Sequence, residues 1–260
     1  MNALIQTIAD KKAELDHLRL AAPHGLSNFE HVYNVELTYT SNAIEGNTLT
    51  RSETMMVIEQ GITIGGKPLR DHLEAIDHHD AILYVREIAR RSVSLTEMDV
   101  RTLHSLVVRR SLPDIAGRYA DQGRFVLTDA GPQRFPSAAE VPTLMGEFAA
   151  WLNGAPDSPE TAFGAHLRLV NIHPFNDGNG RAARLLMNLV LIRAGYPPVA
   201  VRPEDRPNYI AALQQQTDDQ GESFTQLMYQ RLDAILNDYL GAFRESLPAS
   251  GNPAPPGADA

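Results

Sequence analysis

The sequence predicts an all-α protein interrupted by one β-hairpin. Three observations carry this reading. Apolar residues recur at helical spacing through most of the 260 positions. One stretch, 124–135, abandons that period for two short runs around a Gly-Pro turn. One run, Leu185-Leu186-Met187-Asn188-Leu189-Val190-Leu191-Ile192, is apolar on nearly every side, as a helix in a domain interior must be.

Residues 2 to about 20 set Leu4, Ile5, Ile8, Leu15 and Leu18 among charged neighbours, an amphipathic helix that Pro23 and Gly25 end. A second helix opens near Ser27-Asn28, carries Phe29, Val32, Tyr33, Leu37 and Ile44, and stops at Gly46. Ser41 and Glu45, four apart, share a face of its last turns. Further helices are expected over 51–60, 71–90 and 96–109, the last opened by a capping-box pattern at Ser94-Leu95-Thr96-Glu97. Gly61, Gly65-Gly66 and Pro68 separate the first two of these. The hairpin pairs 124–128 with 133–135 across Asp129-Ala130-Gly131-Pro132. Helices resume over 139–152 and 160–172, and then come a polar segment, the apolar helix, and helices over 203–217 and 223–243. From Pro248 onward no large apolar residue occurs, so the end of the chain is expected to be a disordered tail. No repeat of solenoid period is present.

The chain is long enough for a full core and near the upper limit for one domain. Its 43% hydrophobic and 21% charged residues are ordinary for a soluble protein. A formal charge of -9 disfavours nonspecific binding to nucleic acid or to an anionic membrane, and neither is expected as a partner. The absence of cysteine excludes disulfides and thiolate metal sites and fits a reducing compartment. No basic-then-apolar leader opens the sequence, and no run approaches the ~20 apolar residues of a membrane span. The expectation is a cytoplasmic protein not exported by the general secretory route, with delivery by a specialised secretion system left open.

The polar segment reads His173-Pro174-Phe175-Asn176-Asp177-Gly178-Asn179-Gly180-Arg181-Ala182-Ala183-Arg184. Glycines on both sides of Asn179 allow positive φ and inward-turned N–H groups just where a helix begins, which makes an anion nest. On that helix Arg181, Arg184 and Asn188 form a single polar stripe. Buried guanidiniums need anions, and either nucleotide phosphates or a carboxylate from elsewhere in the chain would serve. Asp177 can hold a Mg²⁺ that bridges phosphate oxygens. His173, four residues earlier, can take a proton from an attacking hydroxyl. Such a set suits phosphoryl or nucleotidyl transfer.

These residues resemble the signature of the Fic (filamentation induced by cAMP) family, H-x-F-x-[DE]-G-N-G-R-x-x-R, with no position missing. The similarity runs from about Tyr39 to Leu232, through Ile115-Ala116-Gly117-Arg118-Tyr119 and the hairpin. It implies a Fic-like helical bundle whose hairpin is a flap. It also implies transfer of AMP from ATP, with Mg²⁺, to a Ser, Thr or Tyr hydroxyl of a protein, releasing pyrophosphate. On the same resemblance His173 is the general base and Asp177 the metal ligand. Gly178, Asn179, Gly180 and Arg181 bind phosphates, Arg184 holds the γ-phosphate, Phe175 packs under the loop, and Tyr209 borders the adenine. Ser41-Asn42-Ala43-Ile44-Glu45-Gly46 resembles the family's inhibitory motif, [ST]-x-x-x-E-[GN], in which Glu45 would take the γ-phosphate's place on Arg184. Arg124, Phe125, Val126, Leu127 and Phe135 would form the flap that docks a target segment by strand addition.

Two positions depart from many relatives: Ala120 where a basic residue is common, and Gln216-Thr217 where some use Asn near adenine. The implied partner is a protein of unknown identity, this chain itself included. A homodimer is an open alternative, since dimerisation tunes inhibition in relatives. The implied organisation is an N-terminal helical extension over 1–37, a catalytic domain over 38–245 and a tail over 246–260. Two other activities stay open: removal of AMP with Glu45 positioning water, and nucleotide sensing without turnover.

Overall fold

The computed structural model describes residues 1–21, 24–91, 93–128, 131–215 and 220–246, without the side chains of Leu127 and Thr128. Gln216-Thr217 and the tail expected beyond Ser246 lie outside the described residues. Among these residues the fold is helical with a single two-stranded sheet. The helices are α1 (Asn2–Ala21), α2 (Ser27–Ile44), α3 (Arg51–Gln60), α4 (Leu69–Ala89), α5 (Glu97–Val108), α6 (Val141–Gly154), α7 (Pro159–Ile172), α8 (Asn179–Arg193), α9 (Arg206–Gln215) and α10 (Glu222–Ser246). The hairpin strands are β1 (Phe125–Thr128) and β2 (Gly131–Arg134). No described helix is long and apolar enough to cross a membrane.

The all-apolar run forms α8, and its burial sets the architecture. Leu185, Leu186, Met187, Leu189, Val190 and Leu191 are buried on every side of the helix, against α7, α4, α5 and α2. Burying such side chains contributes about 1.5–3 kcal/mol each, so this helix anchors whatever precedes it. The polar residue in the run is satisfied in place: the Asn188 amide donates to Val199 O at 3.1 Å and accepts from Val199 N at 2.8 Å. Helix α1 packs along α10, which also meets α7 and α9.

The structure moves several expected boundaries. Thr96, not Ser94, caps α5, accepting from Asp99 N while the Asp99 carboxylate accepts from Thr96 N. Both Ser94–Glu97 and Thr96–Asp99 have the right spacing, but Glu97 is taken by the Tyr119 hydroxyl at 2.6 Å. A second capping box, Thr50 with Glu53, opens α3. The helix expected from residue 203 is a 3₁₀ turn, Pro203–Asp205, followed by α9. The hairpin pairs Phe125 with Arg134 and Thr128 with Gly131, so the ladder extends two residues nearer the tip than expected.

Candidate active site

The polar segment forms the bend between α7 and α8. His173 ends α7 in the left-handed region, φ 49°, with its N–H on Leu169 O at 2.9 Å. Such a backbone is rare for a non-glycine residue and turns the imidazole off the helix toward the bend. Its Nδ1 lies 3.3 Å from Val170 O, and a carbonyl can only accept, so the ring hydrogen sits on Nδ1 and the Nε2 lone pair is left for chemistry. Phe135, just beyond β2, stacks on the imidazole with centroids 3.8 Å apart. Burial pushes the His173 pKa down to about 4, and the Arg124 guanidinium adds to the shift. The ring is therefore neutral at pH 7.

Beneath the bend, Phe175 is buried and stacked on His104 with centroids 3.7 Å apart. His104 Nε2 meets Asp177 O at 2.9 Å, and its Nδ1 accepts from Gly117 N at 3.0 Å. Both ring nitrogens are thus used, and burial holds this histidine neutral at a pKa of about 4. Gly178 caps α8 at φ +78° with Val108 Cγ1 and His104 Nε2 only 3.0 and 3.2 Å from a would-be Cβ, so glycine is required twice over.

The Asn179 side chain serves the bend itself. Its amide accepts from Phe175 N at 2.9 Å and donates to Phe175 O at 2.8 Å, closing the bend on itself. Only its backbone N–H remains for an anion. Tyr209, expected beside adenine, is buried, with its hydroxyl 2.8 Å from His166 Nε2 and 3.4 Å from Arg184 Nη1. It braces the arginine from below.

Arg184 is 4% exposed and its guanidinium faces the end of α2. Nε donates to Ser41 Oγ and Nη2 to Ser41 O, both at 2.9 Å. Nη2 also donates to Glu45 Oε1 at 2.7 Å, across 139 positions of sequence. A Cβ on Gly180 would lie 2.5 Å from that same Glu45 oxygen. The carboxylate therefore sits in the notch the glycine leaves at the N-terminus of α8, where helix dipole and guanidinium both favour an anion.

Arg181 is fully buried with its Nη1 3.3 Å from Glu74 Oε1, an ion pair without hydrogen-bond geometry, and its Nη2 3.5 Å from Asp177 Oδ1; neither Nε nor Nη1 has a hydrogen-bond partner. The Asp177 side chain is partly exposed and also receives Arg70 Nη2 on Oδ2 at 3.1 Å. Sequence reasoning missed Arg70, Glu74 and His104. His104 carried a signal, since with Val100, Leu103 and Val107 it lies on the core face of α5. Arg70 lies before the helix start expected at residue 71, whereas α4 begins at Leu69 and sets Arg70 and Glu74 on one face.

The flap residues divide into two sets. Phe125 is 60% exposed and Val126 is exposed, as strand addition needs. Arg124 turns back, with Nη1 on Gln122 O and Nη2 on Pro136 O, and Phe135 covers His173. Ala120 is buried, its N–H on Pro174 O at 2.8 Å.

The fold recurs in known proteins. Residues 94–191 match the model of the Fic/DOC family. The structure superposes on residues 134–508 of Fic-1 from Caenorhabditis elegans with a TM-score of 0.81 and 30% identity, covering 93% of this chain and 71% of that one. The chain belongs to the Fic/DOC family. A Fic-domain signaling protein from Bacteroides thetaiotaomicron superposes with a TM-score of 0.84 at 29% identity, over 92% of this chain and 97% of the other. The protein adenylyltransferase Fic of Nematostella vectensis is 36% identical over 219 residues, 82% of this chain and 49% of that protein. This Fic chain thus spans about half the length of the curated relatives it matches. The family match covers His104, the flap, the bend and α8, whereas Ser41, Glu45, Arg70 and Glu74 lie before it.

Proposed function

We propose that this chain is an autoinhibited protein adenylyltransferase that moves AMP from ATP to a hydroxyl of a protein and releases pyrophosphate. The contact between Glu45 and both Arg184 and Gly180 carries the reading, because it puts a carboxylate where the anion nest and the arginine would receive a terminal phosphate. The names of the relatives, protein adenylyltransferases, support the transferred group.

Each residue then has a task. The target segment pairs with the exposed hairpin edge, where main-chain bonds hold it with little sequence preference. Nε2 of His173 takes the hydroxyl proton as the oxygen attacks the α-phosphorus; the new O–P bond forms as the bond to the β-phosphate oxygen breaks, and pyrophosphate leaves. Backbone N–H groups at the start of α8, with Arg181 and Arg184, offset the phosphate charge.

Asp177 fits a Mg²⁺ ion that arrives with nucleotide. Its carboxylate is 44% exposed, and among the described residues no group of three or more His, Cys, Asp or Glu side chains converges. A single hard oxygen donor suits a cation that keeps water and phosphate for its other ligands. When bound there it would neutralise phosphate charge. The protein acts where its target is, and ATP is the co-substrate.

Incubation with ATP labelled at the α-phosphate tests this. The wild type should label itself or a lysate protein weakly, Glu45→Gly strongly, and His173→Ala in the Glu45→Gly background not at all. Equal labelling with and without His173 would overturn the mechanism.

A further inference from the structure

Asp177 is held by two guanidiniums of unequal freedom. Arg181, fully buried, approaches Oδ1 at 3.5 Å, and Arg70, 53% exposed, approaches Oδ2 at 3.1 Å. Arg70 also donates through Nε to Glu74 Oε1 at 2.9 Å, and that oxygen lies 3.3 Å from Arg181 Nη1. The four side chains close a ring of alternating charge: Arg70, Glu74, Arg181, Asp177. Glu74 is buried, and its other oxygen accepts from the Asn47 amide at 3.1 Å, two residues past Glu45. The ring is therefore tied to the inhibitory segment.

We propose that Arg70 is a cation stand-in, occupying Asp177 in the closed state and yielding it to a divalent metal. Arg181 is locked in the core and cannot leave. Arg70 can, since its aliphatic stem reaches solvent and its Nε bond to Glu74 keeps it tethered while its Nη2 swings away. Oδ1 of Asp177 already accepts from Gly178 N and faces Arg181, which leaves Oδ2 for a metal, and there the like charge of the Arg70 guanidinium 3.1 Å away opposes a second cation. The closed site is then neutralised at both ends by its own residues: Glu45 takes a phosphate's place on Arg184, and Arg70 takes a metal's place on Asp177.

The inference rests on reading Asp177 as the metal ligand, and the experiment separates the two. Mn²⁺ alone is titrated into the full chain and the free ion followed by electron paramagnetic resonance. Arg70→Gln, which removes the competing charge, should bind Mn²⁺ about fivefold more tightly, the order expected when a half-exposed ion pair no longer has to be broken. Arg70→Lys, which keeps the charge, should stay within about twofold of wild type. Asp177→Asn should lose the binding. If Asp177→Asn abolishes binding and Arg70→Gln binds no tighter than wild type, the stand-in role is wrong while the metal site survives. If Asp177→Asn binds as wild type does, both fall.

Discussion

Glu45 Oε1 lies 2.7 Å from Arg184 Nη2 and fills the space a Cβ on Gly180 would need. One carboxylate thereby engages the arginine and the helix start together. Ser41 supplies a hydroxyl and a carbonyl and Tyr209 a hydroxyl, so without Glu45 the guanidinium keeps hydrogen-bond partners but lacks a counter-ion until a phosphate replaces the carboxylate.

Glu45→Gly keeps those neutral hydrogen bonds and should remain folded, with some loss of stability, and gain activity, because the unpaired guanidinium then favours a phosphate. A charge-assisted hydrogen bond contributes about 1.5–3 kcal/mol, so the gain in transfer rate should be on the order of tenfold or more. Mg²⁺ and ATP should raise the melting temperature of this variant more than that of the wild type. Equal shifts in the two proteins would mean that Glu45 does not compete with nucleotide.

Ser41→Ala should relieve inhibition less. It removes the bond from Arg184 Nε but leaves the Ser41 carbonyl on Nη2. Losing a hydrogen bond of about 1 kcal/mol corresponds to roughly a fivefold rise in rate, below that of Glu45→Gly. A rise as large as that of Glu45→Gly would make the hydroxyl, and not the carboxylate, the main restraint.

The site was legible in the sequence where its residues are neighbours, and the anion facing Arg184 was legible because a buried arginine demands one. The apolar run of α8 is buried as expected, but of the two glycines only Gly178 takes positive φ; Gly180 is helical and leaves room for the Glu45 carboxylate instead. What stayed hidden depends on tertiary approach. The bonds of the Asn179 amide to both Phe175 backbone groups, and the Tyr209 hydroxyl on Arg184, belong to no local pattern. Arg70 and Glu74 belong to α4, about 100 residues upstream by sequence (177 − 70 = 107), and helical period says nothing about which loop will cross them.

The pH profile of transfer in the Glu45→Gly background should be flat from pH 8 to about 5 and fall with a midpoint near the His173 pKa of about 4. Burial sets that value, and the Phe135 ring over the imidazole is part of the burial. Phe135→Ala should admit water, raise the pKa toward the usual 6.5 and move the break in the profile upward. A profile unchanged by Phe135→Ala would show that the flap does not desolvate the base.

Acid should weaken the fold through His104 before it reaches the carboxylates. His104 has a pKa of about 4 in the folded chain, because burial disfavours its charged form, against about 6.5 when unfolded. Between these values the unfolded state binds the extra proton, so stability is intact above pH 6.5 and declines as pH falls toward 4, by up to about 1.4 kcal/mol per pH unit. Protonation would also cost the bond from Gly117 N to Nδ1, which loosens the support beneath Asp177. His104→Gln keeps a donor and an acceptor but cannot titrate. It should melt lower than wild type at pH 7.5, since it loses the stack on Phe175, yet lose less of its melting temperature between pH 7 and 5. Thermal unfolding of both proteins across that range measures the difference, and parallel curves would remove His104 as the acid-sensitive group.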